Sequence, residues 1–320
     1  MFYSMNMLFF IILIISTMFA LSSDSWFQLW ASLEINMMVF IPLMFNKNNI
    51  SINSMMKYFL IQAFASSIFI FMMLMSQTFM WEFLYSNFIT LAMSMKLGLF
   101  PVYFWFPQVS EGLTWTSFTL LSTWQKVIPM YVMASSSHQI LPIIIIFSAL
   151  IGCLSMINQT SLRKLFAYSS LTHMSWMSLC MINANNGWMN YLIVYILIMI
   201  SIYFIFKSMN SSTIDNIKFM YNKTQTLTLL ITMMSLGGLP PFLGFFPKWM
   251  VISNTPMYNF FIMFILIISS LISIFIYLRI LYPLLFTKFI NTKKTSSFNS
   301  TLPITLNMIM LIPIMPLIFF

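Results

Sequence analysis

The chain has 320 residues, of which 60% are apolar and only 6% charged, with a formal net charge of +9. A water-soluble domain carries about 25% charged residues, and 35 Phe and 33 Met against only 7 Gly exclude a disordered or fibrous chain. What remains is a polytopic membrane protein, whose basic balance reflects topology rather than a nucleic-acid surface.

A bilayer core of about 30 Å needs about 20 apolar residues per helix. On that ruler the chain contains eleven spans, at 5–22, 29–45, 58–80, 84–107, 114–133, 139–156, 164–182, 188–209, 225–254, 258–280 and 302–320. The runs are continuous rather than alternating, which predicts helices and not a barrel. The first run lacks a charged leader and a small-residue cleavage site, so it is expected to stay as a span. The predicted fold is an all-α membrane protein of about eleven transmembrane helices, forming a single polytopic domain.

Eleven spans put alternate loops on opposite sides. One side then receives Lys47, Lys57, Arg163, Lys164, Lys207, Lys218, Lys223, Arg279, Lys288, Lys293 and Lys294, and the other receives no Lys or Arg. This is a positive-inside pattern that places the N-terminus in the basic compartment and the C-terminus opposite. Trp26, Trp30, Trp81 and Trp188 fall near predicted span ends, as interfacial anchors do. Cys153 and Cys180 have no metal-ligand spacing and read as small buried hydrophobes. Five glycosylation patterns, at Asn49, Asn158, Asn210, Asn222 and Asn299, lie on the basic side and are expected to remain unmodified.

Four charges stay at membrane depth: Glu34 in the second span, Lys96 in the fourth, Lys126 in the fifth and Lys248 in the ninth. Each costs about 2.5–3.5 kcal/mol at mid-helix even on the gentler insertion scale. Snorkelling explains charges at span ends, but Lys96 and Lys126 fall near the middle of theirs. Such groups mark an ion or proton path by default. Thr116, Thr119, Thr123 and Lys126 recur at helical spacing in the fifth span, and Ser169, Thr172 and His173 share a face of the seventh. The second stripe suits either a water lining or helix–helix adhesion.

The segment from Gly98 to Pro107 and the segment from Gly238 to Pro247 agree at Gly, Leu, Pro, Phe and Pro when shifted by 140 positions. The two parent spans are five apart, an odd number, so such repeats are inverted across the membrane. Residues 1–133 form the first five-helix repeat and 139–280 the second, with 302–320 as a final helix. Interrupted helices at matching places in inverted halves point to a transport site. The interrupting residues are Gly98, Pro101, Pro129, Gly237, Gly238, Pro240 and Pro241. A proline frees the carbonyl four residues before it: Leu97 for Pro101, Gln125 for Pro129, and Leu236 and Gly237 for Pro240 and Pro241. Water or a lysine ammonium would serve such carbonyls. Glu34, the in-membrane carboxylate, is expected to pair with Lys96.

These residues resemble a known family, the mitochondrial NADH–ubiquinone oxidoreductase chain 2 proteins, which are antiporter-like membrane subunits of respiratory complex I. The matching segments are Leu33-Glu34-Ile35-Asn36, Lys96-Leu97-Gly98 through Pro107, Thr123-Trp124-Gln125-Lys126, Asn158 through Lys164, Tyr168-Ser169-Ser170, His173 through Trp176, and Gly237-Gly238-Leu239-Pro240-Pro241 through Pro247-Lys248-Trp249. They run through most of the chain and weaken before residue 24 and after about 285. The heavy use of Phe, Ile, Met and Asn resembles AT-rich arthropod mitochondrial genomes.

The resemblance implies a subunit of a proton-translocating NADH:ubiquinone reductase in the mitochondrial inner membrane, with the basic side in the matrix. It implies a proton path through Glu34, Lys96, Lys126 and Lys248, with His173 or water assisting. It implies no redox centre, cofactor or metal in this chain, since NADH, FMN, iron–sulfur clusters and ubiquinone belong to partner subunits. The implied partners are the other membrane subunits and lipid, with no nucleic acid and no homo-oligomer. Family members usually have fourteen spans, and animal chain 2 lacks the first three, in agreement with eleven here. The family usually carries His two residues after the span-4 proline, where this chain has Tyr103, which cannot become cationic near neutral pH. Two rival functions are a stand-alone cation–proton antiporter, which would share the inverted repeat, and a structural scaffold with inert charges.

Overall fold

A computed structural model describes residues 2–76, 82–136, 139–183, 187–209, 212–214 and 223–286. In chain order the helices are α1 (Phe2–Leu21), α2 (Trp26–Met44), α3 (Asn49–Ser76), α4 (Glu82–Leu97), α5 (Trp105–Gly112), α6 (Trp115–Ser122), α7 (Val127–Ser135), α8 (Leu141–Met156), α9 (Leu162–Ile182), α10 (Gly187–Met209), α11 (Lys223–Gly237), α12 (Phe245–Asn254) and α13 (Phe260–Phe286). Single 3₁₀ turns, Trp124–Lys126 and Met257–Asn259, precede α7 and α13. Among the described residues there is no strand, only an isolated bridge between Ser161 and Thr213. The predicted eleventh span, with Trp81, Lys218, Lys288, Lys293, Lys294 and the patterns at Asn210, Asn222 and Asn299, lies outside the described residues.

Local chemistry sets several helix ends. Ser25 accepts the Gln28 amide at 3.3 Å and starts α2. Thr114 and Ser117 form a reciprocal capping box at α6. Gly98 and Gly238 end α4 and α11 with φ of 74° and 79°, the left-handed conformation that favours glycine. The two ends share one hydrogen-bond pattern. The Gly98 amide reaches Met95 O and the Leu99 amide reaches Ser94 O, while the Gly238 amide reaches Ser235 O and the Leu239 amide reaches Met234 O.

The spans expected at 84–107, 114–133 and 225–254, each carrying interrupting residues, are each two helices. Gly98 divides the first and Gly238 the third. In the second, where Pro129 is expected to free the Gln125 carbonyl, Thr123 departs from ideal helical angles (φ −116°, ψ −72°) and a 3₁₀ turn, Trp124–Lys126, separates α6 from α7. This shortening limits how many spans can be read from helix length. Four described helices are long and apolar enough to cross a membrane on those criteria alone: Trp26–Met44, Asn49–Met75, Gly187–Ser208 and the stretch Met257–Tyr282. The broken helices fall short in each half, and the hydroxyls and His173 of α9 lower its hydropathy.

The chain forms two compact units, Met1–Ser148 and Ala149–Phe320. In the first, α1 packs on α2, α2 on α3, and α3 on both α4 and α5, while α7 returns against α4 and α1. Its core includes Phe40, Tyr58, Phe69, Trp105, Phe106 and Phe118. In the second, α9 is buried along most of its length and meets α10, α12 and α13. Trp188, expected at the interface, is packed inside this unit, whereas Trp26 keeps an exposed face. Cys153 and Cys180 are buried free thiols. The outward faces carry Ile11, Ile15 and Phe64 in one unit and Phe261, Phe264 and Phe275 in the other, as a lipid-facing surface requires.

Candidate functional site

Lys96, Lys126 and Lys248 are all buried, with 6%, 3% and 6% of their surface exposed. None sits within an unbroken helix. Lys96 is in the last turn of α4, Lys126 closes the 3₁₀ turn after α6, and Lys248 is in the first turn of α12. The breaks thus place each cation beside backbone groups that a continuous helix would have consumed.

In the first unit, Lys96 and Lys126 line one small cavity together with Tyr58, Gln62, Leu97, Trp105, Phe106, Leu121 and Gln125. The cavity offers about 10 Å³ to the centre of a water-sized sphere, close to the least that holds one water. Gln62 Nε2 donates to the Lys96 carbonyl at 3.1 Å. Trp105 Nε1 donates to the Met95 carbonyl at 3.0 Å. The carbonyls at the end of α4 are therefore served by side chains from α3 and α5. Pro101 lies in the loop beyond Gly98, so the glycine rather than the proline releases them. Lys126 Nζ lies 4.9 Å from the centre of the Phe106 ring, within cation–π reach. Gln125 Nε2 donates to Asn36 Oδ1 on α2 at 2.9 Å. Glu34 is half-buried on the same helix, but it forms no direct ion pair with Lys96, so the expected contact between them is not made. Pro129 occupies the first turn of α7, where no amide partner is needed.

The expected polar face of the fifth span does not persist as one stripe. Thr116 is exposed near the start of α6, whereas Thr123 and Lys126 are buried at the break. Tyr103 is half-buried in the loop between α4 and α5, and it is not among the cavity-lining residues.

In the second unit, Lys248 Nζ donates to the Gly237 carbonyl at 2.7 Å. A lysine ammonium thus meets a carbonyl released at the Gly238-Leu239-Pro240-Pro241 break. The lysine chain also packs against Gly238, where an added Cβ would come within 2.9 Å of Nζ. Gly244 is pressed against the Ser235 carbonyl, where any side chain would collide.

His173 is buried on α9, with Nδ1 3.0 Å from the Tyr191 hydroxyl and its ring 5.3 Å from that of Tyr195. The neighbouring hydroxyls serve their own helix. Ser169 donates to Phe166 O, Thr172 to Ser169 O and Ser175 to Thr172 O. Gly152 of α8 packs closely on the Thr172 methyl group, which favours the adhesive reading of this stripe.

Tyr58, Gln62, Tyr191 and Tyr195 are not among the residues expected from sequence, and Asn36 and Gln125 appear there only within the matching segments. Gln62 carried a usable signal, being a lone amide deep within the apolar run of α3. The tyrosines carried none, because aromatic residues are common throughout this chain.

A family model described as NADH:quinone oxidoreductase/Mrp antiporter, TM, matches residues 73–273. NADH-ubiquinone oxidoreductase chain 2 of Anopheles gambiae is 42% identical, covering 87% of this chain and 85% of that one. The Aedes aegypti protein of the same name is 38% identical over 95% and 94% of the two chains. Among solved structures, a chain of respiratory complex I from Thermus thermophilus superposes with a TM-score of 0.87 at 19% identity, covering 96% of this chain and 77% of that one. A chain of the Mrp complex from Dietzia sp. superposes with a TM-score of 0.76 at 13% identity, covering 90% and 61%. The likeness to these structures is one of fold.

Proposed function

This chain belongs to the NADH-ubiquinone oxidoreductase chain 2 family and is a membrane subunit of respiratory complex I in the mitochondrial inner membrane, and from that premise we propose that it carries protons from the matrix to the intermembrane space. The observation that carries the reading is the single cavity lined by both Lys96 and Lys126. Two titratable ammonium groups at lipid depth, with amides around them and room for a water, are the parts a proton relay needs. Glu34 biases Lys96 through its charge. Lys126 passes the proton on, and Lys248 holds it at the second broken helix, with His173 or water assisting.

The chain supplies positioning and proton-holding groups. Electron transfer among NADH, FMN, iron–sulfur clusters and ubiquinone occurs in partner subunits and supplies the energy. Moving one charge against 100 mV takes about 2.3 kcal/mol. In the proposed orientation the N-terminus lies in the matrix, as the clustering of Lys and Arg supports. Its partners are the other membrane subunits of the complex and the lipid against its outer faces.

The test is the number of protons pumped per electron by an assembled complex carrying Lys126→Met, reconstituted in sealed vesicles. The ratio is expected to fall below that of the unaltered complex. A ratio equal to wild type would defeat the relay role of Lys126.

A further inference from the structure

We propose that the hydrogen bond between Asn36 and Gln125 is a positioning link through which α2 controls the place of Lys126, so that the helix carrying Glu34 acts on both lysines of the first unit. The inference rests on the proton-relay reading and deepens it by adding two residues that touch no transferred proton.

The Lys126 turn is weakly held by its own backbone. It is a three-residue 3₁₀ turn entered through Thr123, whose φ of −116° departs from ideal helical values, and such turns have poorer hydrogen-bond geometry than α-helix. An external tie therefore has leverage there. Gln125, the residue immediately before Lys126, supplies one by donating to Asn36 Oδ1 at 2.9 Å, across 89 positions of sequence. Asn36 is buried on α2. It lies two residues after Glu34, about 200° around a helix of 3.6 residues per turn. The same helix thus carries Glu34, the carboxylate proposed to bias Lys96, and, on a different face, an amide that ties the Lys126 turn. A displacement of α2 that changes the Glu34–Lys96 interaction must also load the Asn36–Gln125 bond. Gln125 and Lys126 line the same cavity as Lys96, so a shift of the turn alters the gap a proton must cross. Losing one neutral hydrogen bond shifts a two-state population by about fivefold.

The experiment measures protons pumped per electron, and complex abundance, in assembled complexes reconstituted in sealed vesicles. The variants are Asn36→Leu, Gln125→Leu, their double mutant and the exchanged pair Asn36→Gln with Gln125→Asn, alongside Lys126→Met. The expected result is a fall in the ratio for each single variant toward that of Lys126→Met. The double variant should fall no further than the singles, and the exchanged pair should recover part of the ratio. If leucine blocks assembly, Asn36→Ser, too short to meet Gln125, is read in the same way. A wild-type ratio in the Asn36 and Gln125 variants, with the ratio lowered in Lys126→Met, overturns the link and leaves the relay standing. Reduced abundance at a wild-type ratio makes the pair merely structural and also overturns it. A wild-type ratio in Lys126→Met overturns the relay and the link together.

Discussion

Lys248 donates to the Gly237 carbonyl at 2.7 Å, across the loop that separates α11 from α12. In the first unit the corresponding helix end is supplied from a different place in the chain. Lys96 precedes its left-handed glycine by two residues, whereas Lys248 follows its own by ten. The repeat equates Lys248 with Gln108, which accepts a hydrogen bond from Lys57 at 2.9 Å. Each unit thus brings a cation to the C-terminal end of a broken helix, where the helix dipole favours it by about 0.3–1 kcal/mol, and more when buried.

Gly238→Ala should therefore do more damage than Gly98→Ala to proton movement, though the two cost similar backbone energy. Both glycines have positive φ, where an L side chain costs about 1–2 kcal/mol. The new methyl group at 98 meets the Phe106 side chain, whereas that at 238 meets Lys248 Cδ and Nζ. Both variants are expected to lower the thermal stability of the assembled complex. Gly238→Ala should also lower protons pumped per electron further than Gly98→Ala does, measured side by side in vesicles. Equal ratios in the two variants would remove Lys248 from the relay.

Gly244→Ala should fail at assembly rather than at pumping. Its φ of −68° suits any residue, so backbone freedom is not the reason for glycine here. The reason is the Ser235 carbonyl, which occupies the place of a Cβ. Backbone oxygen cannot swing aside as a side chain can, so α12 would have to move away from α11. A strong drop in complex abundance on native gels is the expected outcome. Normal abundance would show that the two helices separate at little cost.

The positions of these breaks are legible in sequence because glycine and proline carry backbone consequences that no tertiary context erases. The repeat of Gly-Leu-x-Pro marks the ends of α4 and α11, and the lysines stand out because charge is rare in this composition. The interruption of the fifth span is legible only through Pro129, which removes the donor for the Gln125 carbonyl inside the 3₁₀ turn. The turn's extent is not legible, since Thr-Trp-Gln-Lys contains neither glycine nor proline. A contact distant in sequence, Asn36 with Gln125, ties this turn to α2. The pairing of α3 with the end of α4 is likewise a tertiary fact. Nothing at Gln62 itself reveals that its partner is the backbone of Lys96.

Tyr191→Phe tests whether His173 needs its hydroxyl partner. The change removes one buried hydrogen bond at 3.0 Å and keeps the ring contact. It is expected to destabilise the unit by about 1 kcal/mol. Protons pumped per electron should fall, but less than in Lys248→Met, because in the proposed relay His173 assists and the lysine holds the proton. A larger loss in Tyr191→Phe than in Lys248→Met would reverse these roles.

Gln62→Leu separates the two jobs of the α3 amide, serving the backbone of α4 and lining the cavity. Leucine leaves the Lys96 carbonyl without the Gln62 donor, at a cost of about 1–3 kcal/mol for an unsatisfied buried group. It also makes one wall of the Lys96–Lys126 cavity apolar, and a water there needs two to four polar partners. Gln62→Asn keeps the amide but shortens it, so it loses the reach to Lys96 while leaving a polar group at the wall. If cavity hydration governs transfer, Gln62→Leu lowers protons pumped per electron well below Gln62→Asn, although both reduce thermal stability. If the backbone bond alone matters, the two variants fall together. The first outcome is expected, because Lys96 and Lys126 reach the cavity from separate helix ends, and an apolar wall would dry the space between them.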